Sequence, residues 1–264
     1  MAVLNYVWFW PNGGPVGRPW GDGGDVTEDA FARTSRRVTE RYSEALGSFD
    51  IQARRSAVQM FVSPADTASS VVVDVHLTPV GDETVRAHVP TQVATFSSQD
   101  RARVVLEVVD ASMRAIGAAR GWPLQALEQA KQHVLDHHMG FEMTGAWKMD
   151  RARRLRARPV ARVADDGWSE LCFEVAPARA EGSLGFTQAL KSPSNSLPKF
   201  KRGAATEFRW ASESTIERPD DWQPRYGKAW GPVEVFETSN LHAWPIKLDP
   251  VPAHSPLPVE LRSR

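Results

Sequence analysis

The stretch "SSVVVDVHLTPVGDETVRAHV" (69–89) predicts two β-strands joined by a turn. In each run apolar and polar residues alternate. This pattern is typical of a strand that buries one face, because successive side chains of a strand point to opposite faces. The segment "TPVGD" (78–82) between the runs is typical of a hairpin turn. The apolar residues that share one face are Val71, Val73, Val75, Leu77, Val85, Ala87 and Val89.

Further strands and helices surround this hairpin in the first half of the chain. The runs 2–10 and 56–62 are rich in β-branched and aromatic residues and are predicted strands. The segments 26–46, 98–121 and 123–140 carry apolar residues at helical spacing, between capping residues. The pattern predicts an α+β fold, with an N-terminal mixed or antiparallel sheet and about three helices packed on one of its faces.

The second half of the chain is predicted to be rich in β-structure. Its clearest element is a hairpin at 153–178, where two alternating runs meet at Asp165-Asp166-Gly167. Shorter strand candidates follow at 206–212 and 232–238. We therefore predict an α+β domain over 1–140, a β-rich domain over 141–244 and a proline-rich extended tail over 245–264. One sheet that runs through both halves is the alternative.

Composition limits the classes of function. Lys and Arg total 32, and so do Asp and Glu, so any site for an anion must arise from local clustering. Cys172 is the only cysteine, which excludes an internal disulfide, and its apolar neighbours predict a buried thiol. The N-terminus lacks the features of a signal peptide, and no apolar run approaches the ~18 residues of a membrane span. We expect a cytoplasmic protein with no membrane partner.

A glycine-rich loop, "WFWPNGGPVGRPWG" (8–21), separates the first predicted strand from the first predicted helix. Strand, glycine-rich loop and helix N-terminus form the arrangement that binds phosphate. The glycines, however, match neither common phosphate-binding spacing, and the helix opens with Asp25, Glu28 and Asp29, which repel an anion. We interpret the loop as a connector and predict no cofactor.

The polar face of the 69–89 hairpin contains the candidate catalytic residues. Asp74, His76, Arg86 and His88 share this face, and a turn centred near Gly81 places Asp74 opposite His88 and His76 opposite Arg86. An Asp–His contact fixes the imidazole tautomer for general-base catalysis, which suggests a hydrolase or a nuclease-like enzyme centred on Asp74, His76 and His88. A solvated polar face is the favoured interpretation, because local sequence places no nucleophile beside the pair.

The segment "HVLDHH" (133–138) is the only metal-site candidate. His133 and His137 lie four residues apart on one helical face, but Val134 replaces the glutamate of the HExxH signature and no third ligand is evident. We interpret both as surface or helix-end histidines and predict no metal.

An arginine stripe carries the leading functional hypothesis. Arg154, Arg156, Arg158 and Arg162 fall on one face of a predicted strand, and Lys199, Lys201 and Arg202 form a second basic cluster in a loop. Trp147 and Trp168 lie nearby in sequence and offer contact area. We predict a binding protein rather than an enzyme. It engages a protein or an anionic partner such as a nucleic acid. An edge strand kept soluble by its charges is the simpler interpretation of the stripe.

A third hypothesis is an assembly role. The proline-rich segment 245–264 is predicted to dock on a neighbouring copy of the chain as an extended arm. The oligomeric state is left open by the sequence.

Overall fold

A computed structural model describes residues 1–11, 26–65, 69–78, 83–165, 167–192, 207–219, 233–243 and 250–263. Within these residues the helices are α1 (Val26–Leu46), α2 (Ser98–Arg120) and α3 (Leu124–Asp136), with a short 3-10 helix at Thr91–Thr95. The strands are β1 (Ala2–Val3), β2 (Tyr6–Pro11), β3 (Gln52–Ala53), β4 (Ala57–Ala65), β5 (Val71–Leu77), β6 (Glu83–Pro90), β7 (Phe141–Thr144), β8 (Lys148–Met149), β9 (Leu155–Val163), β10 (Ser169–Pro177), β11 (Gly185–Phe186), β12 (Leu190–Ser192), β13 (Arg209–Trp210), β14 (Thr215–Pro219), β15 (Val233–Glu237) and β16 (Val259–Ser263). The predicted α+β class is confirmed.

The sheet that contains the 69–89 hairpin has five strands among the described residues, in the order β16-β5-β6-β4-β2. Strands β5 and β6 are antiparallel, as the 69–89 hairpin predicts. Strand β4 pairs in parallel with both β6 and β2, and β16 pairs in parallel with β5. The sheet is therefore mixed. We call it the first sheet.

One face of the first sheet is covered by helices. Helices α1 and α2 contact its strands, and α3 packs against α1 and α2. Fully buried Phe31, Val38 and Tyr42 follow the helical period along α1 and meet the inward valines of the sheet. Helix α2 starts at an N-cap, where the Ser97 hydroxyl accepts a hydrogen bond from the Asp100 amide at 3.1 Å.

Helix α3 is shorter than predicted. It ends at Asp136 rather than at Gly140, because His138 and Met139 adopt φ angles of 54° and 53°. The Met139 amide donates to the Val134 carbonyl at 2.8 Å, which closes the helix, and the Met139 side chain is fully buried. The helix therefore ends before Gly140, which the sequence pattern assigned as its end.

The second half contains the hairpin predicted at 153–178, formed by the neighbouring strands β9 and β10. Its sheet has the order β11-β10-β9-β7, with β12 paired to β10 and β8 to β9. A separate sheet has the order β13-β14-β15. Buried Phe173 of β10 packs against Phe208 and Phe236, with ring centroids 4.9 Å and 4.8 Å away.

The chain divides into two compact units. The first contains Met1–Phe141, Val163–Gly167 and Leu248–Arg264, and the second contains Glu142–Arg162 and Trp168–Lys247. In the first unit the turn Val163–Gly167 lies against α1. The Arg36 guanidinium donates to the Gly167 carbonyl at 2.7 Å, and buried Arg37 pairs with Asp165 at 2.6 Å.

The segment predicted as an extended tail contains a strand of the first sheet. Leu257 is 5% exposed and belongs to the core, and Val259–Ser263 pair with β5 of the same chain. Pro258 is the last proline of the segment, so every residue of β16 has an amide hydrogen for the ladder. The residues 244–249 lie outside the described part of the chain. In the part that is described, no helix is long and apolar enough to cross a membrane.

Candidate functional site

The register of the β5–β6 hairpin differs from the predicted one. Asp74 lies opposite Arg86, and His76 lies opposite Thr84. The predicted pairs Asp74–His88 and His76–Arg86 are wrong by two residues, because the ladder centres on residue 80 rather than on Gly81. A shift by two leaves every side chain on its predicted face, since strands repeat every two residues.

Asp74 and His88 nevertheless contact each other across the diagonal of the ladder. His88 Nε2 lies 3.1 Å from Asp74 Oδ2, and the side chains are 39% and 15% exposed. Asp74 Oδ1 is buried and has no hydrogen-bond partner within the described residues. A contact of this kind can orient an imidazole. The catalytic role of the pair stays a prediction. His76 has no hydrogen bond to this pair in the same residues.

Sequence reasoning missed a hydroxyl beside this pair. The parallel register of β4 and β6 places Ser63 opposite His88, on the same face of the sheet. The described contacts include no hydrogen bond between the Ser63 hydroxyl and the imidazole. Ser63 lies 25 residues before His88, and no local pattern shows which strands are neighbours.

The face of the first sheet opposite α1 and α2 is polar and aromatic; we call it the outer face. Along one row of the ladder Arg262, Asp74 and Arg86 stand side by side on β16, β5 and β6, and Phe61 of β4 follows Arg86. Arg86 and Arg262 are exposed, and within the described residues neither guanidinium forms a hydrogen bond or ion pair. Both therefore remain available to a ligand.

A groove opens at the edge of the outer face, where β2, β4 and β6 begin. Its volume is about 540 Å³. A separate cavity beside α3, lined by residues that include Glu44 and His133, has a volume of about 640 Å³. The Trp8 indole is 36% exposed in the groove and stacks on Tyr6, with centroids 5.9 Å apart. The lining of the groove includes Trp8, Arg54, Arg55, Ser56, Gln59 and Thr84. Glu83 also lines the groove, but its carboxylate pairs with Arg120 at 2.9 Å.

The arginine stripe is largely paired with carboxylates of its own unit. Arg158 contacts Glu174 and Arg162 contacts Glu170, each at 2.6 Å. Arg154 contacts Glu213 at 2.6 Å, and this exposed ion pair raises the pKa of Arg154. These contacts leave the stripe with less free positive charge than its sequence suggests.

Of the other residues predicted to bind together with the stripe, some lie within the described part of the chain and some lie outside it. Arg156 and Arg158 both lie over the Trp147 ring, at 4.7 Å and 4.8 Å from its centroid, so Trp147 packs against the stripe. Trp168 is half-buried, just before β10. Lys199, Lys201 and Arg202 lie outside the described residues, as does most of the glycine-rich loop. The binding role of all these residues stays a prediction.

The metal-site candidates are used in other contacts. His133 Nε2 lies 3.2 Å from Glu44 Oε2, and His137 Nδ1 donates to the His133 carbonyl at 2.8 Å. Burial raises the pKa of the Glu44 carboxyl, but Arg41 and His133 outweigh that effect, and the net pKa lies below its usual value. The described residues contain no group of three His, Cys, Asp or Glu side chains that could hold a metal ion.

Cys172 is a buried free thiol. Burial raises its pKa, with Glu142 adding to the shift, which opposes formation of the thiolate. The residue therefore packs as a small apolar side chain.

Comparisons with protein-family models, with curated proteins and with solved structures found no match for this chain. The geometry of its own residues is therefore the basis of the functional argument.

Proposed function

We propose that this chain is a cytoplasmic, non-catalytic binding protein that engages an anionic partner through the outer face of the first sheet. The observation that carries the proposal is the pair of exposed guanidinium groups of Arg86 and Arg262, which have no ion-pair partner within the described residues. An unpaired arginine can donate to a phosphate or carboxylate without first breaking an existing ion pair.

The contrast with the arginine stripe supports this location. Arg154, Arg158 and Arg162 each contact a glutamate at 2.6 Å, so a ligand must compete with that glutamate. On the outer face Asp74 contacts His88, while Arg54 adds positive charge at the edge groove. Arginine with exposed aromatic surface is the composition that recognition sites favour.

A charge reversal tests the proposal with heparin as a generic polyanion. We expect wild type to be retained on immobilised heparin, and R86E/R262E to elute at clearly lower salt, because each removed cation lowers the number of released counterions. The matched control is R151E/R153E, which changes the net charge equally at exposed positions of the second unit. Equal shifts in the two double variants would show that net charge alone governs retention and would overturn the proposal.

The second candidate function is ester hydrolysis, and the contact between His88 and Asp74 at 3.1 Å favours it. In that reaction the Ser63 oxygen attacks the ester carbonyl as its proton passes to His88 Nδ1. The imidazolium then protonates the leaving alcohol, and water, deprotonated by the same imidazole, releases the acid from the acyl-serine. Asp74 orients the imidazole throughout.

Labelling with a fluorophosphonate separates this candidate from the binding proposal. If Ser63 is a nucleophile, a peptide containing Ser63 gains the label, and D74N reduces the labelling at least tenfold by releasing the imidazole. The matched control is H76A, which removes a histidine of the same face that does not contact the pair. Labelling that is absent, or equal in wild type and D74N, excludes the hydrolase.

A further inference from the structure

Strand β16 forms one edge of the first sheet. It pairs with β5 on one side, and within the described residues no strand pairs with its other side, which we call the free edge. Glu260, Leu261 and Arg262 of this strand are exposed, and Leu261 retains 45% of its accessible surface. The unpaired edge of a sheet is a template on which a further strand can form hydrogen bonds.

The hydrogen bonds of β16 show which of its backbone groups point to the free edge. The Val71 amide donates to the Pro258 carbonyl at 2.9 Å, so the Pro258 carbonyl points to β5. Alternate residues of a strand direct their amides and carbonyls to the same side, so those of Glu260 and Arg262 also point to β5. The residues that present amides and carbonyls at the free edge are therefore Val259, Leu261 and Ser263.

We infer that two copies of this chain associate through their β16 strands, which pair in an antiparallel register centred on Leu261. A two-fold axis then passes between Leu261 and the partner's Leu261, and the two five-stranded sheets become one continuous sheet. The pairing forms about six hydrogen bonds, because Val259 meets the partner's Ser263 on either side of the central pair.

The charges of β16 select this register. With the axis at Leu261, Glu260 lies opposite the partner's Arg262, and Arg262 lies opposite the partner's Glu260. These residues form non-hydrogen-bonded pairs, in which the Cα atoms are only about 4.5 Å apart, so the opposite charges attract at short range. An axis at residue 260 or 262 would instead place two glutamates or two arginines opposite each other, which is destabilising.

The neighbouring strand extends this alternation of charge. Asp74 of β5 lies beside Arg262 in the parallel ladder, and Arg86 of β6 lies beside Asp74. In the dimer the partner's Glu260 joins the other end of this row. Each charge of the row then has neighbours of opposite sign.

The apolar side chains of β16 are also buried further by the pairing. Val259 and Leu261 lie on the helix-covered face of the first sheet, because they stand beside buried Val71 and Val73. Leu261 is nevertheless partly exposed, at the last strand of the described sheet. The partner's Leu261 lies directly opposite it on the same face and covers this apolar surface.

A short edge strand with charged side chains usually resists pairing with other proteins. In β16 the two charges have opposite signs and are placed symmetrically about Leu261. They therefore disfavour strands of other charge pattern but match a second copy. The interface is small, because a strand of five residues buries less than the about 1,200 Å² of stable complexes. We expect a weak dimer with a Kd of about 10–100 µM.

The inference does not depend on the proposed function, but the two meet at Arg262. In the single chain this guanidinium has no ion-pair partner within the described residues, whereas in the dimer it contacts the partner's Glu260. A polyanion and a second copy therefore compete for Arg262, while Arg86 stays available in both states. Because the dimer is weak, both arginines are available to an anion at low protein concentration.

Sedimentation velocity from about 1 µM to about 1 mM tests the dimer in the absence of any ligand. We expect wild type to change from monomer to dimer over this range. E260R and R262E each place like charges opposite each other at two positions of the interface, and each should raise the Kd about tenfold. The charge-swapped variant E260R/R262E restores opposite charges and should return the Kd to about the wild-type value.

The matched control is R86E, which changes the net charge as R262E does and also lies on the outer face, but on β6. Its Kd should equal that of wild type. Circular dichroism verifies that each variant is folded. Should E260R/R262E disturb folding, mixing E260R with R262E replaces it, because one chain then supplies two arginines and the other two glutamates. The mixture should dimerise more tightly than either variant alone.

Hydrogen exchange measured residue by residue reports the strand itself. The Leu261 amide should exchange more slowly as the protein concentration rises, because only the dimer engages it. The amides of Glu260 and Arg262 are matched controls within the same strand, since they already point to β5 and should show no such dependence.

Three results would overturn the inference. The first is a wild-type protein that stays monomeric up to about 1 mM. The second is an equal Kd in wild type and R262E, which places the interface elsewhere. The third is an equal loss in R262E and R86E, or no recovery in the charge-swapped or mixed variants, which assigns the effect to net charge. A monomer would leave the proposed anion binding intact, because that function needs no second copy.

Discussion

Replacing Gly167 with alanine is expected to destabilise the first unit by about 3 kcal/mol. Gly167 has a φ angle of 78°, which costs an L-residue about 1–2 kcal/mol. A Cβ atom built there also lies 2.4 Å from the Arg33 carbonyl oxygen and 2.6 Å from its carbon. These are backbone atoms of α1, so relief requires moving the helix or the turn, which costs about 1–3 kcal/mol more.

Urea unfolding followed by far-ultraviolet circular dichroism measures the effect, because α1, α2 and α3 all belong to the first unit. The matched control is G121A. Gly121 has a similar φ of 70° but nothing within 4 Å of the added Cβ, so only the backbone cost of about 1–2 kcal/mol remains. If both variants lose the same stability, the close approach of the turn to α1 is contradicted.

Replacing Phe173 with alanine is expected to destabilise the second unit by about 3–5 kcal/mol, the usual cost of deleting a buried aromatic ring. Phe173 is fully buried, and its ring contacts both Phe208 and Phe236. Phe208 precedes β13 and Phe236 lies in β15, so the variant leaves a cavity among separate segments of the chain. Such a cavity cannot close without moving whole strands.

Hydrogen–deuterium exchange of the β10 amides reports this loss directly, as faster exchange over Ser169–Pro177. The conservative variant F173L keeps most of the volume and should cost only about 1 kcal/mol. Exchange in F173A that matches wild type would show that the three rings do not form a shared core.

The hairpins were predictable from sequence because their signal is local. Alternation in 69–89 assigned strands and faces correctly, since one buried face imposes a period of two. In 153–178 it assigned the strands, although β10 is buried on both faces. The register of β5 and β6 was not predictable, because it depends on the turn rather than on the alternation. Asp74 and His88 meet by a diagonal contact that the expected direct pairing did not describe.

The glutamates that form ion pairs with the arginine stripe illustrate a second limit of prediction from sequence. Glu170 and Glu174 lie in the other strand of the same hairpin, and the alternation that aligned the arginines also aligned these two glutamates. This pairing was readable in principle from the sequence. Glu213, the partner of Arg154, comes from a distant segment and was not.

The groove could not be predicted, because it is built from separate segments. Trp8 comes from β2, Arg54 and Arg55 precede β4, and Thr84 lies in β6. Their proximity depends on the parallel order β6-β4-β2, and parallel neighbours leave no turn in the sequence to show that they pair. Composition pointed instead to the half of the chain with the most arginine and tryptophan.

The position of β16 has a consequence for biosynthesis. Its residues follow the whole second unit along the chain, yet they complete the ladder beside Val71–Leu77. While the ribosome makes the intervening residues, that flank of a valine-rich strand has unsatisfied amides and carbonyls, and another nascent polypeptide can pair with it. We therefore expect slower translation or weaker chaperone capture over this interval to increase the fraction of newly made protein that aggregates.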